Sequence, residues 1–235
     1  MKILHVGASP SPKVVDGINS TVWLVAKEQS LLGNQVTLLL DGLPDQHAKA
    51  LAEANQIRLE FIPTTNWNYD PQALKCLFDV TYPDIVHMHS VFIPKQASLA
   101  KQLVKLGIPY MITPHALSPK LLRRKWLIKF VYSWLLEKPR FYQSVAISGV
   151  TPGEVSAIRT FVPSYKGFVR SIANPIDLGS LSGWQWQGVG KTQKKLVYLG
   201  RFDVFHKGID YLIDIARLLS PNIEIHLYGV PDPKS

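Results

Sequence analysis

Residues 196–213 read LVYLGRFDVFHKGIDYLI, and their reading decides the fold class. Lys195 to Leu199 is a short strand of aliphatic, β-branched and aromatic residues that stops at Gly200-Arg201. A loop then carries Lys207-Gly208 into an amphipathic helix predicted over Gly208 to Leu219, and Ile223 to Tyr228 reads as the next strand. A guanidinium, an ammonium and a helix N-terminus thus gather at the carboxyl end of a strand. Open α/β sheets hold anionic ligands at that position.

The same alternation runs back to the start of the chain. Ile3 to Val6 reads as a buried first strand, followed by a helix over Ile18 to Leu32 that Gly33 stops. Further strands are predicted at Val36 to Leu40, Ile57 to Ile62, Ile85 to Met88, Tyr110 to Thr113 and Ser144 to Ile147. Helices between them are expected in a short alanine-rich stretch, at Pro71 to Val80, at Lys95 to Leu106 before Gly107, and at Lys120 to Glu137. Near-continuous apolar strands separated by helices predict a parallel, doubly wound α/β sheet covered on both faces. The expected organisation is a Rossmann-like domain over residues 1–175, a linker rich in Gly, Ser, Gln and Trp over 176–194, and the start of a second domain over 195–235. Two parallel strands and one crossover helix cannot cover both faces of their own sheet, so a missing C-terminal segment or a partner chain is expected to complete it.

Composition narrows the class. The 235 residues amount to about one and a half domains. The 26 basic and 17 acidic residues give a formal charge of +9, which favours anionic partners. Nucleic acid is set aside because no recognition module or RNA-binding aromatic pattern is present. The lone Cys76 excludes a disulfide framework and suits a reducing compartment. The apolar runs are too short for a signal peptide or a membrane span, so a cytoplasmic location is expected.

Several segments, taken in order, resemble the retaining GT-B glycosyltransferases of family four, the "glycosyl transferases group 1" type. DGINSTVWLVAKEQSLLGNQVTLL (16–39) is similar to the family's glycine-rich loop and first helix, and PDIVHMHS (83–90) to its DxxHxH strand. TPHALSP (113–119) resembles its TPHG turn, ANPIDL (173–178) its hinge, and GRFDVFHKGIDYLI (200–213) its donor site. The resemblance implies two Rossmann-like domains facing a cleft, with the acceptor on the first and a nucleotide diphosphate sugar on the second. It implies hexosyl transfer to a polysaccharide or lipid-linked glycan with no cofactor beyond that co-substrate. The family's pair of glutamates seven residues apart has no counterpart here, so these 235 residues alone are expected to be inactive. The alternative is a truncated, non-catalytic remnant, or half of a split protein, acting as a binding module. A dinucleotide-dependent oxidoreductase is disfavoured, since no G-x-G-x-x-G follows the first strand.

Transfer from such a donor develops negative charge on the departing diphosphate, which calls for fixed cations. Arg201 and Lys207 are the candidates, and the resemblance assigns them to the diphosphate; the other reading is two solvated basic side chains. Gly17 opens the first helix, where a residue without a side chain admits a phosphate. Asp16 beside it would repel phosphate unless it turns away or binds a sugar hydroxyl. His115 follows a strand end, and the resemblance makes it the catalytic-site group that orients a reacting hydroxyl. His87 and His89 share one strand face. With His115 they suggest a metal site, but no carboxylate is placed to join them and no metal is expected. His87 then packs beneath the cleft, and His89, nearer the strand end, is a candidate ligand contact.

The segment 119–142 carries Lys120, Arg123, Arg124, Lys125 and Lys129 among Trp126, Leu127, Phe130, Val131, Trp134 and Leu135. The apolar set forms a stripe at helical spacing, as a core-facing helix would. The same arrangement suits peripheral contact with anionic lipid. Trp67, Tyr69, Trp184 and Trp186 are expected in loops packed against the domain rather than in a site.

Overall fold

The computed structural model describes residues 1–14, 16–115, 117–118, 126–179, 183, 185, 194–220 and 222–230. They divide into two compact units, Met1–Ser180 and Leu181–Ser235.

The first unit alternates strand and helix: β1 (Lys2–Ala8), α1 (Gly17–Leu31), β2 (Gln35–Leu40), α2 (Gln46–Ala54), β3 (Arg58–Phe61), α3 (Pro71–Thr81), β4 (Ile85–His89), α4 (Pro94–Leu106) and β5 (Tyr110–Thr113). It continues through α5 (Trp126–Tyr132), a π-helical turn (Ser133–Glu137), α6 (Lys138–Gln143), β6 (Ala146–Gly149), α7 (Pro152–Phe161) and β7 (Phe168–Ser171). All seven strands are parallel, in the order β3-β2-β1-β4-β5-β6-β7. The direction of winding reverses between β1 and β4, so the carboxyl ends of those strands flank the crevice.

Two apolar layers explain the strand composition. Leu4, Val6, Leu39, Val86, Met88, Ile112 and Ile147 pack with α3, α4 and α7 on one face. Val36, Leu38 and Leu40 pack with Val22, Trp23, Ala26, Ala48 and Ala52 on the other. Alternation along β2 divides its side chains between the two layers. In β1 the phase slips at Gly7, where the pairing with β2 skips a residue, and Ala8 joins the layer opposite Leu4 and Val6. Asp45 and Asp70 begin α2 and α3 by accepting from the Ala48 and Ala73 amides, each at 2.7 Å.

In this unit α6, α7 and β7 escape the sequence pattern, and in the second unit Val204–Lys207, read as a loop, is a short helix. The signal for α7 was Thr151-Pro-Gly-Glu154, in which the Thr151 hydroxyl caps the Glu154 amide at 3.1 Å. A correction concerns the stripe at 126–135, expected to face the core. Trp126, Phe130 and Trp134 are 61%, 68% and 70% exposed, and Leu127, Val131 and Leu135 are exposed with them. The helix turns this face outward because Tyr132, whose ring meets that of Phe92 at 5.7 Å and a 53° tilt, and the buried Ser133 and Glu137 anchor it instead. Lys120, Arg123, Arg124 and Lys125 lie outside the described residues, as do Trp184 and Trp186. Tyr69 is buried beneath the Lys95 ammonium, whereas Trp67 is exposed. Among the described residues no helix is long and apolar enough to cross a membrane.

The second unit is one parallel βαβ: β8 (Lys194–Leu199), a short helix α8 (Val204–Lys207), α9 (Ile209–Leu218) and β9 (Ile223–Tyr228). Val197, Leu199, Tyr211, Ile213, Leu218 and Leu227 are exposed in it.

Candidate functional site

The crevice of the first unit is built at the carboxyl ends of β1, β4 and β5. Its floor is histidine. Parallel pairing sets His5 beside His87, and alternation brings His89 onto the same face one step further on. His115 follows β5 and its backbone is left-handed, with φ 63°. Ser90 and Phe92, after β4, are left-handed too, at φ 80° and 59°. Non-glycine residues in that region are strained, and three of them crowd the lip of one crevice.

The imidazoles form a connected row. His5 Nε2 lies 2.7 Å from Gln29 Oε1, His5 Nδ1 lies 3.1 Å from His89 Nε2, and His89 Nδ1 lies 3.0 Å from His115 Nε2. His87 stands aside, its Nε2 2.7 Å from the Thr113 hydroxyl. Burial pushes His5 from 6.5 down to about 4, partly offset by the bond to Gln29. It lowers His115 to about 4 as well, against the pull of the Asp16 carboxylate, which favours the charged ring. His87 and His89 fall well below 6.5 through burial and then through the neighbouring imidazoles. The row is therefore neutral at pH 7. His5, His87 and His89 also place one nitrogen each within 4.8 Å of one another, close enough for a metal ion. Hydrogen bonding within the row already engages the facing nitrogens of His5 and His89.

Other side chains hold the crevice in shape. A Cβ on Gly7, whose φ is 110°, would lie 3.2 Å from the His89 carbonyl oxygen and 3.3 Å from Gln96 Nε2. Gln96 Nε2 donates to that carbonyl at 2.8 Å, and Gln96 Oε1 accepts from Arg140 at 2.6 Å. Arg140, fully buried, also donates to the Ser90 carbonyl at 2.8 Å and to Glu137 Oε1 at 2.7 Å. Glu154 accepts from the Leu117 amide at 2.9 Å and from the Val150 amide at 2.8 Å, which ties down the turn after His115. Buried Asn19 accepts from the Ser9 amide and donates to the Ser11 and Val14 carbonyls, fixing the loop before α1. None of Gln29, Gly7, Gln96, Arg140, Asn19 or Glu154 was singled out by sequence reasoning. The T-x-x-E pattern could have found Glu154; the others depend on pairings between distant positions.

Of the residues singled out in the sequence, Asp16, Gly17, His89 and His115 come together at this crevice. Asp16 is the N-cap of α1. Gly17 is exposed and opens that helix, and a Cβ there would meet nothing within 4 Å. His89 is 1% exposed and both its nitrogens are engaged by histidines.

Arg201 and Lys207 belong to the second unit, at the carboxyl end of β8. The Gly200 amide donates to the Tyr228 carbonyl at 2.9 Å and the Tyr198 hydroxyl to the Arg201 carbonyl at 2.6 Å. A Cβ on Gly229 would collide with the Gly200 carbonyl, so the two strand ends require glycine to close up. Both cationic side chains are exposed, and neither makes an ion pair among the described residues. Gly208, left-handed at φ 65°, then starts α9.

A separate groove of about 540 Å³ runs between the exposed helix and α7, lined by Trp126, Phe130, Trp134, Lys138, Ala157 and Phe161. None of the histidines lines it.

A parallel sheet of this order, with its polar row at the β1/β4 reversal, defines a doubly wound, Rossmann-like α/β domain. The sequence profile of Glycosyltransferase Family 4 matches residues 15–180, and the chain belongs to that family. No curated protein matches it in sequence. Among solved structures it is similar to sucrose-phosphate synthase from Thermosynechococcus elongatus, with TM-score 0.72 and 17% identity over 99% of this chain and 63% of that one. Anabaena HepE in complex with UDP and glucose matches with TM-score 0.60 and 17% identity, over 99% of this chain and 62% of that one. Phytolacca americana UGT2, complexed with UDP-2-fluoro-glucose and pterostilbene, matches with TM-score 0.53 and 13% identity, over 99% and 72%. The fold is GT-B-like. The chain spans somewhat under two thirds of the length of the first two.

Proposed function

We propose that this chain serves sugar transfer from a nucleotide diphosphate sugar to a polysaccharide or lipid-linked glycan, with retention of configuration. Membership in the family and the likeness to a structure holding UDP and glucose support this reading. The observation that carries it is the neutral histidine row ending at His115, beside Asp16 and Gly17, at the reversal point of the sheet.

In this reading Arg201 and Lys207 face the diphosphate. The planar fork of arginine can hold two phosphate oxygens, while lysine supplies a compact charge, and both act as negative charge builds on the leaving group. His115, uncharged, orients a sugar hydroxyl, its ring held by the contact with His89. Gly17 leaves open space at the start of α1 for a ligand to approach the backbone. The exposed face of Trp126, Phe130 and Trp134, flanked by Lys129 and Lys138, suits peripheral contact with an anionic membrane surface on the cytoplasmic side, where a lipid-linked acceptor would lie.

A panel of nucleotide diphosphate sugars tested for thermal stabilisation decides the matter. At least one is expected to raise the midpoint, and the double variant Arg201→Ala/Lys207→Ala is expected to abolish the rise. Charge-stabilising groups of this kind are worth about 2–4 kcal/mol each in a transition state. If no nucleotide diphosphate stabilises the protein, the donor assignment is wrong.

A further inference from the structure

We propose that the groove between α5 and α7 holds the hydrocarbon chain of a single anionic lipid, with its head group beside Lys129 at the lip of the crevice. The groove encloses about 540 Å³. Trp126, Phe130 and Trp134 recur every fourth residue and form one wall, since such positions share a helix face. The facing helix offers Gly153, Ser156, Ala157 and Thr160, small side chains that leave the space between the helices open. The Ser156 and Thr160 hydroxyls donate back to the Pro152 and Ser156 carbonyls at 3.2 and 3.0 Å, so neither calls for a polar ligand. Buried Phe161, edge-on to Phe141 at 5.4 Å, ties the groove to the core.

The occupant follows from apolarity, charge and position. Leu127, Ile128, Val131 and Leu135 are exposed along with the three aromatic side chains, so the helix is apolar well beyond the stripe that one groove needs. Hydrocarbon is the surrounding that accepts apolar side chains on several sides of a helix at once. Lys129 and Lys138 are the charged residues that line the groove, and among the described residues no carboxylate lines it. Arg123, Arg124 and Lys125 precede Trp126 in the sequence, which adds to the attraction for an anionic head. The Lys129 ammonium lies 5.3 Å from the centre of the Phe92 ring, and Phe92, left-handed at φ 59°, stands at the crevice lip. A chain with its head at Lys129 therefore delivers that head to the crevice. The Lys138 ammonium stands instead over Phe161, 5.6 Å from its ring centre. Adsorption to a membrane surface involves the whole exposed helix, whereas the groove seats one chain drawn out of that surface. The inference rests on the reading of the acceptor as lipid-linked. Its test contains no nucleotide sugar, so it and the sugar-transfer reading fail separately.

The test is titration calorimetry of the 235-residue protein with dodecyl phosphate below its micelle concentration, beside dodecylphosphocholine and butyl phosphate. Dodecyl phosphate is expected to bind saturably, one per chain, and butyl phosphate to give no saturable heat. Dodecylphosphocholine should bind about fivefold more weakly, the share of one lysine in holding an anionic lipid. Ala157→Phe fills the groove and should weaken dodecyl phosphate by about tenfold, since displacing two methylenes already costs that much. Co-sedimentation of this variant with phosphatidylglycerol vesicles should persist, because the aromatic face is untouched. If Ala157→Phe does not fold, Ser156→Phe, at an exposed position on the same wall, takes its place. Lys129→Gln should bring the two dodecyl amphiphiles to equal affinity. Dodecyl phosphate that binds no tighter than butyl phosphate overturns the inference. So does unchanged affinity in the groove-filling variant, which would leave the chain on the outer face. A charge preference that survives Lys129→Gln and vanishes in Lys138→Gln would turn the chain end for end and overturn the link to the crevice. A dimer in sedimentation that Ala157→Phe dissociates would seat a second copy in the groove and overturn it as well.

Discussion

Mild acid is expected to destabilise the first unit through its histidines. In an unfolded chain His5 titrates near 6.5, and in the folded protein burial holds it at about 4. Below pH 6.5 the unfolded chain binds a proton that the folded chain refuses. Stability is thus fully present above 6.5 and is lost as pH falls towards 4. At about 1.4 kcal/mol for each pH decade, His5 alone removes about 2 kcal/mol by pH 5 and about 3 kcal/mol by pH 4. His87, His89 and His115 shift in the same direction and add to the loss. Against a total of about 5–15 kcal/mol for a typical domain, that is a large share. Urea unfolding followed by circular dichroism at about pH 7.5, 6 and 5 measures it, alongside an NMR titration of His5. His5→Gln should flatten the slope. Equal stability at pH 7.5 and 5, an unchanged slope in His5→Gln, or a measured His5 value near 6.5 would refute the reasoning.

Arg140→Met should cost about 3–5 kcal/mol in urea unfolding, because it strands the fully buried Glu137 carboxylate, whereas Arg140→Met/Glu137→Leu should recover most of the loss; a neutral single variant refutes the pairing. Gly7→Ala should cost about 1–3 kcal/mol and perturb the His89 signals, since its backbone is left-handed and its Cβ would press on the His89 carbonyl; an unchanged midpoint refutes this. Trp126→Ser/Phe130→Ser/Trp134→Ser should reduce co-sedimentation with vesicles containing anionic lipid and leave the unfolding midpoint within about 0.5 kcal/mol of wild type, as expected for exposed positions; undiminished binding removes the helix from any membrane contact.

What the sequence could and could not reveal follows from the range of the interactions. Strands such as Val36–Leu40 announce themselves because both faces are buried, and helix starts such as Asp70-Pro71 because the cap is local. The outward turn of Trp126, Phe130 and Trp134 was not legible, since a stripe at helical spacing says which side chains align but not what they face. Edge strand β7, Phe168–Ser171, has too few apolar positions to stand out. His89 and His115 were visible as candidates, but their dependence on His5 and Gln29 was hidden. That link needs β1 beside β4, 82 residues apart in His5 and His87, and helix α1 packed on β1. Buried Arg140, which ties the loop after β4 to α4, carries no local signal that sets it apart from a surface arginine.

The large sheet finishes on each side in a strand of four residues bearing charge, Arg58 and Glu60 in β3 and Arg170 in β7. Such margins offer little to a passing strand and discourage copies from stitching together. Among the described residues the pair β8 and β9 has no inner strand, so each six-residue member is itself a margin, with Val197 and Leu199 bare to solvent on one of them. Any self-aggregation on storage should start there, and a lysine placed at Val197 should slow it.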